Sequence, residues 1–188
     1  IVENEALPGM IDPFNKNLGF SKSLHLVFGY NYLISENLRL KIESYYQYLY
    51  NIPVKRGDPV YSMLNFGDSY FDQLPIIDSL ENTGTGKNYG LELTLEKFLD
   101  KGYYTLLTAS LYDSKYRGYD GIERNTAFNG NYILNALAGK EFKIGKRNFV
   151  SLNMKITYAG GLRYIPFDVE QPGPSRYVQV FDRERAYE

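Results

Sequence analysis

The sequence contains no cysteine. This excludes structural disulfides, thiolate metal sites and cysteine nucleophiles, and it leaves the redox compartment open. A single histidine, His25, deprives the common catalytic and zinc constellations of their parts. Tryptophan is missing altogether. Neither charge is in excess, because 21 basic side chains face 22 acidic ones for a formal net charge of −1. Electrostatics therefore recommends neither nucleic acid nor an anionic surface as a partner. The apolar runs fall far short of the roughly 18 residues a spanning helix needs. Residues 1 to 20 hold no basic start followed by an apolar core, so no signal peptide is expected within them.

What is abundant is tyrosine: 19 Tyr and 11 Phe stand among 188 residues. Such rings suit half-buried strands and interfaces, where the ring is covered while the hydroxyl stays wet. The length allows one domain with a sizeable core, or part of something larger.

Wherever a period can be read, it is two, which predicts strands rather than helices. Over 23 to 34, Leu24, Leu26, Phe28, Tyr30 and Tyr32 share one face, while Ser23, His25, Gly29 and Asn31 share the other with Val27. After Ser35, Glu36 and Asn37, the pattern repeats with Leu38, Leu40, Ile42, Tyr46, Tyr48 and Tyr50 against Arg39, Lys41, Glu43, Tyr45 and Gln47. Tyr89, Leu91, Leu93 and Leu95 then alternate with Asn88, Gly90, Glu92, Thr94 and Glu96. Further strands are expected over 103 to 113, over 132 to 142, and from Val150 to Tyr158. The last places Val150, Leu152, Met154, Ile156 and Tyr158 opposite Ser151, Asn153, Lys155 and Thr157.

Short turns near 36, 100 and 145 alternate with long irregular segments at about 51 to 86, 114 to 131 and from 159 onward. Three hairpins hanging from long loops on one side run against the short connections of compact soluble domains. They match the short turns and long loops of outer-membrane barrels. With the short turns at the inner surface, Tyr30, Tyr32 and Tyr103 mark one membrane interface. Tyr46, Tyr48, Tyr50, Tyr89 and Tyr158 mark the other, with aliphatic side chains between. Spanning strands need about 9 to 11 residues, close to those read here. Six strands cannot close such a barrel, whose smallest members have about eight. The expectation is therefore an all-β, antiparallel up-and-down segment of a larger transmembrane barrel. A soluble lipocalin-like barrel and a sandwich stay open on pattern alone. The missing tryptophan weighs against the former, since lipocalins commonly carry Gly-x-Trp near the first strand.

The chemistry-bearing motifs are weak. Gly86-Lys87 resembles the end of a phosphate-binding loop. The first glycine, however, should stand at Glu81 and the hydroxyl at Asn88, and the motif opens a strand rather than a helix. Gly84 and Gly86 read instead as loop or strand-entry glycines. Residues 66 to 72, FGDSYFD, resemble a Gly-Asp-Ser nucleophile block around Ser69. The only base, His25, sits mid-strand, so no enzymatic activity is expected. No metal or other cofactor is expected either. Arg39, Lys41, Glu43, Glu92, Glu96 and Lys155 read as a solvated lumen lining of mixed sign. The loops hold the better ligand candidates: Tyr70, Phe71 and Asp72, then Tyr112, Asp113, Tyr116, Tyr119 and Asp120, and finally Arg163 and Tyr164. Aromatic rings beside carboxylates suit sugars or peptides.

The stretches YYQYLYNIPV (45 to 54), GKNYGLELTLEKFLDKGYYTLLTASLYDSKYRGYDGIERNTAFNGNYILNALAGKEF (86 to 142) and KITYAGGLRYIPFD (155 to 168) cover about 80 of 188 residues. In this order they resemble the C-terminal barrel region of TonB-dependent outer-membrane receptors. The resemblance implies a barrel of about 22 strands with a plugged lumen. It implies residence in the outer membrane of a Gram-negative bacterium, surrounded by outer-membrane lipid. It also implies uptake of a nutrient ligand such as a metal chelate, glycan or peptide, coupled to the inner-membrane TonB complex, and it allows a surface lipoprotein as a further partner. No TonB-contact segment, plug or final aromatic strand is recognised between Ile1 and Glu188, so the expected unit is one portion of that barrel. Residues 112 to 131 and 159 to 175 would correspond to extracellular loops.

Overall fold

The computed structural model describes residues 15–66, 77, 79–173 and 176–188. In chain order the elements are β1 (Lys22–Ser35), β2 (Leu38–Lys55), one 3-10 turn (Met63–Asn65), β3 (Leu80–Asp100), β4 (Tyr103–Arg117), β5 (Glu123–Asn125), β6 (Tyr132–Ile144), β7 (Asn148–Ala159), β8 (Phe167–Gly173) and β9 (Arg176–Phe181). The fold is all-β and antiparallel. Seven strands form one sheet in the order β1-β2-β3-β4-β6-β7, with β5 paired to β4 beyond β6, and β8 and β9 form a separate two-stranded ribbon. Among the described residues the larger sheet does not close, and β1 and β7 are its edges.

The three tight hairpins fall where the sequence puts them. Between β3 and β4, Lys101 and Gly102 both have positive φ, 50° and 79°, as a two-residue primed turn matched to strand twist requires. At the opposite end the strands run further than the alternation indicates. β2 continues to Lys55 and β3 begins at Leu80, so Gly84 and Gly86 lie within a paired strand rather than in a loop. Nor do the other long segments lack structure: β5 sits inside 114 to 131, and β8 and β9 follow 159. β2 passes its girdle of tyrosines through an irregularity between Leu49 and Ile52, where Asn51 has a φ of 57°. Asparagine tolerates that left-handed conformation better than most side chains.

Register turns the alternation of each strand into two continuous faces. One row of directly opposed residues reads Tyr30, Ile42, Leu93, Ala109, Leu134 and Tyr158 across six strands. The row beside it reads Asn31, Lys41, Thr94, Thr108, Asn135 and Thr157. One residue of slip would exchange the two faces. Among the described residues nothing packs against the apolar face: Leu26 is 71% exposed, Leu152 66%, and Leu93 in the sheet's centre 39%. The buried side chains, Ile52, Val54, Val60, Ser62, Tyr116, Thr126, Asn129 and Ala186, gather instead at the end away from the short turns. There the long connections close over the polar side.

Candidate functional site

The polar face is organised by side-chain hydrogen bonds that run across strands. Gln47, Asn88 and Ser114 stand in one row of β2, β3 and β4. Along it Thr126 Oγ1 donates to Ser114 Oγ (2.8 Å), Ser114 Oγ to Asn88 Oδ1 (2.6 Å), Asn88 Nδ2 to Gln47 Oε1 (2.8 Å) and Gln47 Nε2 to Ser23 Oγ (3.1 Å). A second ladder joins Thr157 Oγ1 to Asn135 Oδ1 (2.8 Å) and Asn135 Nδ2 to Thr108 Oγ1 (3.1 Å). Each bond is exchanged against water and contributes about 1 kcal/mol, but together they fix rotamers over a wide surface.

Above the first ladder lies an open cavity of about 590 Å³, walled by His25, Tyr45, Leu49, Tyr112 and the carboxylates Glu43 and Glu92, and overhung by Leu64, Thr126 and Phe128. Glu43 and Glu92 are directly opposed in register, and Lys41 pairs with Glu43. Tyr45 meets His25 edge to face at 6.1 Å. Amide, hydroxyl and carboxylate groups beside aromatic rings equip this surface to hold a polar ligand by hydrogen bonding and stacking. Among the described residues no three His, Cys, Asp or Glu side chains converge as metal ligands.

The long connections build a cap over the outer end of this face. Tyr116, fully buried, donates from its hydroxyl to Val60 O (2.9 Å) and meets Tyr187 edge to face at 6.0 Å. Asn129, also fully buried, spends its whole amide inside the cap. Its Oδ1 accepts from the Ser114 amide (3.1 Å) and Asn131 Nδ2 (3.2 Å), and its Nδ2 donates to Asp113 Oδ1 (2.6 Å) and Asn125 Oδ1 (2.9 Å). Ala127 N donates to Asn65 Oδ1 (2.9 Å), which joins the cap's two loops. Tyr61 is pushed up to about 12 by burial and then by the nearby Asp58 charge. Burial raises the Asp58 carboxyl too, but hydrogen bonds from Arg183 and from the Val60 and Tyr61 amides outweigh it and hold it below the usual value.

The residues expected to contact ligand divide sharply in this arrangement. Tyr70, Phe71 and Asp72, like Ser69, lie outside the described residues. Tyr116 is taken up by the cap's interior. Asp120 is clamped by Arg124 through two bonds, 3.0 and 2.7 Å. The first cause of its lowered pKa is that guanidinium. Arg163 reaches Asn129 O (3.1 Å) and Asn131 Oδ1 (2.7 Å), and so ties the segment after β7 to the cap. Tyr119 and Tyr164 are exposed, 44% and 71%, and remain accessible. Of the expected lumen charges, Arg39 pairs with Glu96 and Lys41 with Glu43, and Lys155 stands exposed on the same face of β7. Nothing in the sequence pattern singles out Asn129, Arg124 or Asn65, because a polar loop residue acquires its partners only when distant loops meet.

Comparison with protein-family models, curated proteins and solved structures returned no match.

Proposed function

We propose that this sheet is a sector of the wall of an outer-membrane β-barrel. In this reading its leucine- and tyrosine-rich face meets lipid and its polar face meets an aqueous lumen. The observation that carries the proposal is the pair of adjacent rows, one apolar and one polar in all six strands, with the apolar one uncovered. An unpartnered face of this extent on a water-soluble protein would be an aggregation liability. Against hydrocarbon it is the favourable surface, provided the backbone amides pair in a closed sheet. The rings support the same placement. Strands of such barrels tilt by about 35 to 45°, so a row perpendicular to the strands climbs across the membrane. Accordingly the apolar row begins at Tyr30 near the short-turn girdle and ends at Tyr158 near the opposite one.

With the sequence resemblance, this supports reading the chain as part of the barrel region of a TonB-dependent receptor. Such a protein takes up a nutrient ligand, a metal chelate, glycan or peptide, from outer-membrane surroundings with energy from the inner membrane. The cavity over the Gln47-Asn88-Ser114 row and the exposed Tyr119 and Tyr164 are the surfaces offered to that ligand. No catalytic step is proposed for these residues.

Bimane labelling of single cysteines tests the orientation, with any cysteine outside residues 1–188 first replaced in the full-length protein. Labels at Leu26, Leu93 and Ile156 should be quenched by brominated lipid in outer-membrane vesicles. Labels at His25, Thr94 and Thr157 should be quenched only by aqueous iodide. The reverse pattern would mean that the apolar face lines a cavity, as in a lipocalin-like binding module. Recovery of the full-length product from the cytosol would overturn the proposal entirely.

A further inference from the structure

The apolar face is not uniform where β4, β6 and β7 approach the short turns. Tyr103, Thr105, Ala138, Lys140, Leu152 and Met154 share that face by register and line a groove of about 540 Å³. Its floor is made of Thr105 and Ala138, directly opposed and both small, and its walls are Leu152, Met154 and the Tyr103 ring. Farther along β6 a second groove, of about 300 Å³, runs past Ala136 and Ala109 between Leu107, Leu134 and Ile156. Both grooves follow β6 on the apolar face, and together they mark a furrow along that strand.

The furrow's short-turn end is cationic on a face otherwise without charge at mid-height. Lys140 lies directly opposite Tyr103, with its ammonium 5.6 Å from the Phe142 ring centre. Lys97, in the same row of register as Thr105, holds its ammonium 4.6 Å from the Tyr103 ring centre. Lys97 pairs with Asp100 at 3.7 Å, a contact at the long end of the ion-pair range that exerts a modest hold. Glu141 belongs to the other face, opposite Ser151. Ammonium groups at the end of an apolar furrow, flanked by aromatic rings, complement a molecule with a long aliphatic tail and a negative head.

We propose that this furrow is a binding site for one anionic phospholipid of the leaflet at the short-turn side. Its acyl chain lies over Thr105 and Ala138, and its phosphodiester head sits between Lys97 and Lys140. The site rests on the reading that the apolar face meets lipid, and it adds to that reading a fixed position and a head-group preference. Apolar walls alone would accept any acyl chain. The two lysines select the anionic head.

Bimane placed on Val150, beside the furrow's cationic end, and on Leu26, far from it, distinguishes the two ideas in the full-length protein reconstituted into phosphatidylcholine vesicles. Brominated phosphatidylglycerol should out-compete brominated phosphatidylcholine at Val150 by roughly thirtyfold, the size expected of two basic groups at about 1 kcal/mol each. At Leu26 the two lipids should quench alike. The double substitution Lys97→Gln, Lys140→Gln should abolish the preference at Val150 while quenching by phosphatidylcholine persists. Ala138→Leu, which fills the floor and keeps both charges, should reduce it as well. Equal quenching by both lipids at Val150, or a preference that survives the lysine substitutions, overturns the site and leaves the wall intact. Loss of quenching by either lipid at both labels instead overturns the wall.

Discussion

Tyr45 and Gly90 stand directly opposite one another on β2 and β3, with the tyrosine ring lying across the glycine. A Cβ at Gly90 would come within 2.9 Å of Tyr45 Cζ and 2.7 Å of the Leu111 carbonyl oxygen. Tyr104 and Gly139 repeat the arrangement on β4 and β6, where Tyr104 Oη also donates to Asn153 Oδ1 (3.0 Å). In both pairs a strand glycine, which packs nothing of its own, is covered by the ring across from it. The two differ in what surrounds the missing Cβ. At Gly139 the nearest atoms are all side-chain atoms, whereas at Gly90 one of them is backbone.

That difference predicts opposite outcomes of two double-mutant cycles. Gly139→Ala and Gly90→Ala should each destabilise by about 1 to 3 kcal/mol, the usual cost of overpacking. Tyr104→Ala should absorb most of the Gly139→Ala cost because the ring is gone and the remaining close atom, Asn153 Oδ1, ends a side chain that has lost its Tyr104 donor and is free to turn away. Tyr45→Ala should absorb little of the Gly90→Ala cost because the Leu111 carbonyl remains. Urea unfolding of the full-length protein in detergent gives the two coupling energies, one from each cycle. Equal rescue at both sites would show that the rings, not the backbone, set both distances.

Asn129 leads to a prediction about the cap. Its amide oxygen and nitrogen each serve two partners inside a fully buried site. Truncation to alanine would strand at least the Ser114 amide. Leaving one such group unsatisfied costs about 1 to 3 kcal/mol. Asn129→Ala should therefore loosen the cap locally, with faster amide exchange over 112 to 131 and at Ala127 and Arg163. Exchange in the central part of β2 and β3 should stay unchanged. Uniform acceleration across the sheet would mean that cap and sheet unfold as one unit.

Much of this sheet is written in the sequence, because alternation and turn chemistry are local properties. Leu91 beside Glu92 and Gly102 after Lys101 announce face and turn without knowledge of any distant residue. The continuation of β2 to Lys55 and of β3 back to Leu80 is not local. Gly84 belongs to a strand because its missing side chain lets Ile52 and Val54 approach, a Cβ there lying 2.5 Å from Val54 Cγ1. A glycine-rich stretch read alone resembles a loop. The cap was hidden for a related reason. Tyr116 and Tyr119 look equally suited to ligand in sequence, and only the position of Val60, 56 residues away, sends one inward and leaves the other exposed.

The Asp120 and Arg124 pair predicts a pH dependence confined to the cap's turn. The guanidinium holds the Asp120 carboxyl below its ordinary value of 3.8. The unfolded segment therefore takes up its proton first as pH falls, and protonation favours unfolding. The pair's contribution is full above 3.8 and disappears as pH drops through the lower, folded value. Asp120→Asn should raise exchange over 118 to 125 relative to the parent at pH 6, and the two proteins should converge toward pH 2. Taking the ratio at each pH cancels the intrinsic exchange chemistry. A ratio that stays constant across that range would show that the pair stabilises nothing.

The sharpest test of the two faces uses neighbouring residues. Leu93 and Thr94 occupy the centres of adjacent rows on β3, one apolar and one polar, so an arginine at either position meets the same backbone and the same depth. If the apolar row meets hydrocarbon, Leu93→Arg should cost about 2 to 4 kcal/mol, the depth-dependent cost near a bilayer's midplane. Thr94→Arg, beside Lys41 and within reach of Glu92 and Glu96 on its own face, should cost under about 1 kcal/mol, the range of exposed ion pairs. Leu134→Arg, two strands along the same climbing row and directly opposite Tyr158, should cost less than Leu93→Arg because it lies nearer the interface. Heat-modified mobility of the folded protein in outer-membrane extracts gives the ranking. A Thr94→Arg penalty equal to or larger than that of Leu93→Arg would place the apolar row in contact with water or protein and not with lipid.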